Sequence, residues 1–345
     1  MNQPGFFDLS DRYAKLDSLG DPLPKVDAVV DWRRFIPVLA KIRQKERKSQ
    51  AGRPPFDALL MFKVLVLQSF YNLSDDQAEF QIRDRYSFQR FLGLAPEGRV
   101  PDSKTIWLFR ETLKEHDLID KLFSALDAQI NAAGYIPRKG QIIDASMVEA
   151  PRQRNSKDEN DLIKSGSAPS DWSEVKRRQK DVEARWTKKH ERKYYGYKNH
   201  ISVDRERKLI RQWSATSASV HDSQVFYDIL DGNNSCNEVW ADSAYWSGDR
   251  TEEMAKLGYK SHVHIKGARG RELTEVEKLA NRMKSKVRAR VEHVFAQQTI
   301  FGKFIRTIGF ARAYIKIGMM NLAYNMKRLT WLMANADPCG GPAGW

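Results

Sequence analysis

Two aspartates stand where an apolar strand would ordinarily carry none. Asp144 interrupts "QIIDASMVEA" (residues 141–150), and Asp242 follows Val239, Trp240 and Ala241 in "EVWADSAYW". A buried carboxylate without a positive partner costs several kcal/mol or gives up its charge, so each acid is read as lying at the exposed carboxyl end of its strand, beside something positive. One such aspartate is commonly a strand-end cap, but two in one domain suggest a site. A third acid, Glu292 in "VRARVEHVF", is the only carboxylate between Glu277 and Asp337, and residues 266–290 before it hold nine Lys plus Arg against three acids. On a regular helix Arg288 lies one turn from Glu292, and the plain reading is an i,i+4 ion pair worth a few tenths of a kcal/mol. Taken together, oxygen-only ligands at strand ends and on a facing helix suit a hard cation such as Mg²⁺. Two such ions, about 4 Å apart, clamp the attacking and leaving oxygens of a phosphodiester.

The elements that must hold these acids begin near residue 140. "QIIDASMVEAP", "KYYGYKNHISVD", "KLIRQWSATSAS", "NEVWADSAYW" and "YKSHVHI" are β-rich, whereas "HDSQVFYDILDG", "GDRTEEMAKLGY" and "LTEVEKLANRMKSKVRARVEHVFAQQTIFG" are helical in pattern. Three strands and then alternating helices and strands describe an α/β domain with a mixed five-stranded sheet, its first three strands an antiparallel meander. A polar insertion at 152–193 separates the first two strands. Residues 152–198 carry 14 Lys plus Arg against 8 Asp plus Glu, which reads as a solvated face or a mobile loop, or else as an inserted arm that lies on nucleic-acid phosphates and orders when bound.

Upstream, residues 1–50 read as an irregular arm with one short helix near "WRRFIPVLAKIRQ". The run "FDALLMFKVLVLQSFYNL" is a core helix, Ser74 and Gln77 form a capping-box pattern, and Pro101 with Asp102 or Ser103 opens another helix. Short helices at 51–125 carrying Arg83, Arg85, Arg90, Arg99, Lys104 and Arg110 fit a helix-turn-helix DNA-binding domain or a plain bundle with solvated arginines. A catalytic domain then runs over 126–335, and 336–345 read as a disordered tail.

Composition points the same way. A formal charge of +14 with 41% hydrophobic residues describes a globular protein with a polyanionic partner, nucleic acid first. The longest apolar block, "LLMFKVLVL", is broken by Lys63, so a membrane span is not expected. "MNQPGFFDLSDRY" lacks the basic start and apolar stretch of a signal peptide. Cys236 and Cys339 have no metal-ligand spacing, which fits a reducing cytoplasm.

With these words in place the chain resembles the bacterial insertion-sequence transposases with an Asp-Asp-Glu triad, the insertion-sequence-five family in particular. The likeness covers roughly residues 35–333. It rests on the ordered acids, "WADSAYWSG", "VRARVEHVFA", "YYGYKNHISVD", "ASVHDS" and "GRPPFDALLMFKVLVLQSFYNLSDDQAEF". It implies a ribonuclease-H-like catalytic domain, two Mg²⁺ ions replaceable by Mn²⁺ on Asp144, Asp242 and Glu292, and cleavage and strand transfer at terminal inverted repeats. The implied partner is double-stranded DNA bound by a homodimer at the nucleoid, with no membrane and no small-molecule substrate. A silent DNA-binding copy and a nuclease without strand transfer are the alternatives. Related transposases carry Tyr three residues before the Arg and Lys seven after the Glu, where this chain has Ser285 and Thr299. Lys303, 11 residues beyond Glu292, returns to the same helix face unless Phe301-Gly302 ends the helix first.

Further candidates surround the triad. Lys198 and His200 share a strand face that would approach the scissile phosphate if it looks toward Asp144. His221 and Asp222 follow the third strand, Asp222 most simply as an N-cap and otherwise as an auxiliary near the metal. Tyr245 and Trp246 stand where they could stack on an unpaired base. Arg177, Arg178, Lys188, Lys189, Lys284 and Lys286 join the arginines above as candidate DNA contacts.

Overall fold

The computed structural model describes residues 8–43, 54–189, 191–267 and 271–335. The expected disordered tail at 336–345 lies outside the described residues. Residues up to Ala132, with those from Leu322 on, form one compact unit, and Ala133–Asn321 form the other. The sequence reading set the catalytic domain at 126–335; the division falls later at its start because Leu122, Phe123, Leu126 and Ile130 are buried in the first core.

The first unit is helical: α1 (Asp8–Ser18), α2 (Leu23–Val29), α3 (Ile36–Leu39), α4 (Ala58–Tyr71), α5 (Asp75–Asp84), α6 (Tyr86–Leu92), α7 (Ser103–Glu115) and α8 (Ile119–Ala132). Residues 8–43 are thus largely helical instead of an irregular arm, because Leu23, Val26, Phe35 and Leu39 are all buried and anchor successive short turns. Helix α4 is apolar on every side, so it has to be surrounded; Asp57 caps its start and Asn72 ends it in the left-handed conformation. Its one charge, Lys63, donates to Asp27 at 2.6 Å and to the Phe91 carbonyl at 3.0 Å. The Ser74–Gln77 capping box opens α5, and Asp102 caps α7.

The second unit is built on a sheet of six strands: β1 (Gln141–Glu149), β2 (Arg185–Lys189), β3 (Arg192–Asp204), β4 (Ile210–Ser217), β5 (Glu238–Ala241) and β6 (Lys260–Val263). β1, β3 and β4 make the antiparallel meander, while β5 and β6 run parallel to β1 on its other side. The sixth strand is β2, which comes from the insertion and pairs antiparallel with the start of β3. Around the sheet lie α9 (Lys157–Lys164), α10 (Glu174–Gln179), α11 (Gly248–Lys256), α12 (Glu275–Ile300) and the beginning of α13 (Phe310–Ala334).

The described part of the insertion contains α9, α10 and β2 and presents most of its charges on a solvated face. Glu159 closes a capping box with Ser156 and also accepts from Trp172 Nε1 and Lys176 Nζ, each at 2.6 Å. Buried Asp181 accepts the amides of Glu183 and Ala184, the Tyr197 hydroxyl at 2.7 Å and the Gly309 amide at 3.3 Å. A few acids, each used several times, replace the apolar core that the segment lacks.

Candidate active site

Asp144 lies in the middle of β1, fourth of nine residues, with its side chain only 9% exposed. This corrects the reading that placed it at an exposed strand end. β1 continues for five residues beyond it because Ala145–Glu149 stay paired with Gly196–His200 of β3. The missing positive partner is Arg288, whose Nη1 donates to Asp144 Oδ2 at 2.7 Å, while Oδ1 accepts the Ala145 amide at 2.8 Å. Burial pushes the Asp144 carboxyl up to about 6; the Arg288 charge opposes this and the Asp242 charge adds to it.

Asp242 reaches the same place through strand register. Ile142 pairs with Trp240 and Ile143 with Ala241 in the parallel β1–β5 ladder, so the next step brings Asp242 beside Asp144. There the Asp242 side chain accepts the Ala244 amide at 2.8 Å and turns the chain into a 3₁₀ turn, Ser243–Tyr245. Glu292 comes from α12, which a Thr274–Glu277 capping box starts and which buries Val291, Val294 and Gln298. Spacings of three and seven residues put these on one face, and Arg288, three residues before Val291, continues it. Glu292 sits at the edge of that face, its side chain 67% exposed and 3.9 Å from Arg288 Nη2. The i,i+4 pair read from sequence is therefore the weaker of the two contacts Arg288 makes.

A buried amide cluster fixes how α12 sits on the sheet. Asn199 of β3 exchanges hydrogen bonds with Asn321 at 2.9 and 3.1 Å, and Gln298 of α12 donates to Asn321 at 2.7 Å. Sequence reasoning missed Gln298 and Asn321. Their only signal is a polar residue inside an otherwise apolar helical stripe, as in "MMNLAYNM".

Among the described residues, no three His, Cys, Asp or Glu side chains stand close enough to hold a metal ion. The donors nonetheless fit a hard divalent cation: the set offers carboxylate oxygens alone, one of them nearly buried, and a guanidinium provides the positive charge between Asp144 and Glu292.

The auxiliary candidates divide. Asp144 pairs with Ile201 and Ala145 with His200, so Lys198 and His200 lie on the opposite sheet face from Asp144, and the condition for their approach to the scissile phosphate is not met. Lys198 donates to the Val220 carbonyl at 2.6 Å and to Asp222 at 2.7 Å, and His200 bonds Thr216 at 2.8 Å, with burial lowering its imidazole to about 4. His221, not Asp222, caps the 3₁₀ turn Asp222–Val225, because Asp222 is held by Lys198. Helix α12 stops at Ile300, and Gly302 turns with a φ of +81°. Lys303 therefore does not ride the helix; its carbonyl accepts the Glu149 amide at 3.1 Å, and burial lowers its amine to about 8 against the pull of Asp144. Tyr245 cannot stack on a base: it is fully buried with Ile143, Phe226 and Ala241, whereas Trp246 is partly exposed.

Several candidate DNA contacts are engaged within the protein. Arg90 holds Asp17 through two bonds, of 2.7 and 3.1 Å, Arg110 holds Asp75 at 2.6 Å and Arg83 holds Glu79 at 3.1 Å. Arg85 lies over the Phe88 ring, Arg177 reaches the Pro169 carbonyl, Arg178 pairs with Glu174, and Lys284 donates to the Val263 carbonyl at 2.8 Å. Lys104, Lys188, Lys189 and Lys286 are exposed.

The second unit is a mixed sheet in the order β4-β3-β1-β5-β6 with helices around it, preceded in the chain by a helical region; Asp144 lies on β1, and Asp242 directly follows β5, its parallel neighbour. The chain belongs to the DDE transposase family: the Transposase DDE domain model matches residues 136–326, and the Transposase domain (DUF772) model matches residues 10–112. It is also similar to a chain in the "Cryo-EM structure of piggyBac transposase synaptic complex with hairpin DNA", at 12% identity over 93% of this chain and 77% of that one, with a TM-score of 0.46. The protein is a DNA transposase, a polynucleotidyl transferase of a family that uses divalent metal ions. Among the described residues, no helix is long and apolar enough to cross a membrane.

Proposed function

We propose that Asp144, Asp242 and Glu292 hold the divalent ions, Mg²⁺ with Mn²⁺ able to replace it, in an insertion-sequence transposase of the family-five type. The observation that carries this reading is the β1–β5 register, which sets two aspartates side by side under the guanidinium that also reaches Glu292. When bound, a pair of such ions supplies Lewis-acid stabilisation to the attacking and leaving oxygens of a phosphodiester.

The protein's own groups do the rest. β1 holds Asp144 stiffly, paired with β3 at Asp144 itself and with β5 as far as Ile143, and the capped turn after β5 fixes Asp242. Glu292, exposed on α12, is free to change rotamer and complete the ligand set. With ions held by Asp144, the planar fork of Arg288 would be available to a DNA phosphate, for which it is chemically suited. Hydrolysis at each transposon end leaves a 3′ hydroxyl, which displaces a 3′ oxygen in target DNA; the protein forms no covalent bond to DNA. Two ends handled together call for a dimer on DNA, acting in the cytoplasm at the nucleoid. In the helical unit, exposed Lys104 is better placed for phosphates than the ion-paired Arg90 and Arg110.

The test replaces Asp144, Asp242 and Glu292 by Ala one at a time and measures excision and terminal-DNA binding. Excision is lost in all three while binding persists. Full activity in any one of them removes that residue from the site.

A further inference from the structure

One charged feature lies apart from the acids. On the N-terminal side of Gly196, β3 leaves the β1 ladder for four residues, Arg192–Tyr195, which pair with β2, while the Tyr195 carbonyl still accepts the Ala150 amide at 2.9 Å. Residues 185–194 of this two-stranded ribbon hold five Lys or Arg against one Glu. Arg185 is committed to the Ile163 carbonyl at 3.0 Å. The other four, Lys188, Lys189, Arg192 and Lys193, are exposed. Their acidic neighbours are distant: Lys188–Glu191 and Arg192–Glu149 are both 3.7 Å apart and largely solvated. Such pairs contribute little, so the charge is available to a partner.

The ribbon is also held firmly at its base. The Tyr195 hydroxyl donates to the Asp181 carbonyl at 2.9 Å and Tyr197 to its carboxylate, while the Trp186 ring packs 5.1 Å from that of Tyr195. A two-stranded ribbon is an element the major groove of DNA admits. Arg192 lies 3.7 Å from Glu149, on the strand that carries Asp144, which ties the ribbon to the support of the acid site.

We propose that the β2–β3 ribbon is a DNA clamp anchored at its base, with Lys188, Lys189, Arg192 and Lys193 on the phosphates flanking the bond that the acids cut. This rests on the reading of Asp144, Asp242 and Glu292 as the cutting site. Two paired strands have less conformational freedom to lose on binding than an arm that folds on DNA.

The experiment is the salt dependence of binding to a labelled duplex carrying a transposon end, measured by fluorescence anisotropy with the full chain. Changing Lys188, Lys189, Arg192 and Lys193 together to Gln should flatten the slope of log K against log salt by roughly 0.9 for each phosphate that is no longer neutralised. A total change of about 2 to 4 is expected. A second variant, with the three lysines changed to Arg, should retain the original slope. An unchanged slope in a Gln variant that melts like the parent overturns the clamp, as does a flattened slope in the Arg variant. If the Gln variant instead fails to self-associate and keeps its slope, the ribbon is a protein contact and the proposal fails. Asp144→Ala, measured alongside, should keep the parental slope and lose cleavage; cleavage by that variant would sink the site assignment while leaving the clamp result standing.

Discussion

Replacing Asp144 by Asn should make the protein more stable and inactive at once. The carboxyl is held at about 6 against an ordinary 3.8, mainly by burial. Roughly two pH units correspond to about 3 kcal/mol, by which the charged form is disfavoured in the folded state. The folded protein therefore binds a proton that the unfolded chain has released between pH 3.8 and about 6, so stability falls as pH rises through this window. Asn imitates the protonated form but has one oxygen, so it retains only one of the bonds from Arg288 and the Ala145 amide; losing the other costs about 1 kcal/mol. The net gain near pH 8 is about 2 kcal/mol, or roughly 4 to 8 °C in melting temperature for a domain of this size. Below about pH 4 the parental aspartate is protonated whether folded or not, and the advantage disappears. Thermal denaturation of both proteins in chelator at pH 8, 6 and 4 reads this directly. Added divalent ions should reverse the order, since ligand at a hundredfold its Kd stabilises the parent by about 2.7 kcal/mol. An Asn variant less stable than the parent at pH 8, or a difference that does not vary with pH, would refute the account of Asp144 as a buried charge awaiting a cation.

The Tyr245 hydroxyl is buried without a partner, so Tyr245→Phe should change the unfolding free energy by less than about 1 kcal/mol, whereas Tyr245→Ala should cost about 3 to 5; chemical denaturation distinguishes the two. Asn321→Leu leaves Asn199 and Gln298 short of partners and should cost about 1 to 3 kcal/mol for each group. Because Gln298 shares a face with Arg288, the same variant should weaken Mn²⁺ binding measured by paramagnetic resonance.

Local features are legible in the order of amino acids alone. Apolar runs of alternating or helical period mark the strands and the long helices, Ser74 with Gln77 marks a helix start, and three acids in order, with their flanking words, indicate the chemistry. These signals depend only on neighbours a few residues apart, where periodicity and capping act. What stays open at that level depends on partners far along the chain. Arg288 meets Asp144 across 144 positions, and Asn199 meets Asn321 across 122. Strand register decides which face each side chain takes, and a shift of one residue reverses it, so only the pairing settles which face Lys198 and His200 share. The sequence leaves open whether the insertion is a solvated face, a mobile loop or an arm, because its order comes from Glu159 and Asp181, single acids that gather several donors from separate segments. Tyr245 looked like an exposed loop aromatic because only the packed sheet shows that its ring lies beneath the turn. A sequence records which charges exist; the tertiary structure decides which of them face each other, because a buried charge is stable only where the fold brings its counter-charge.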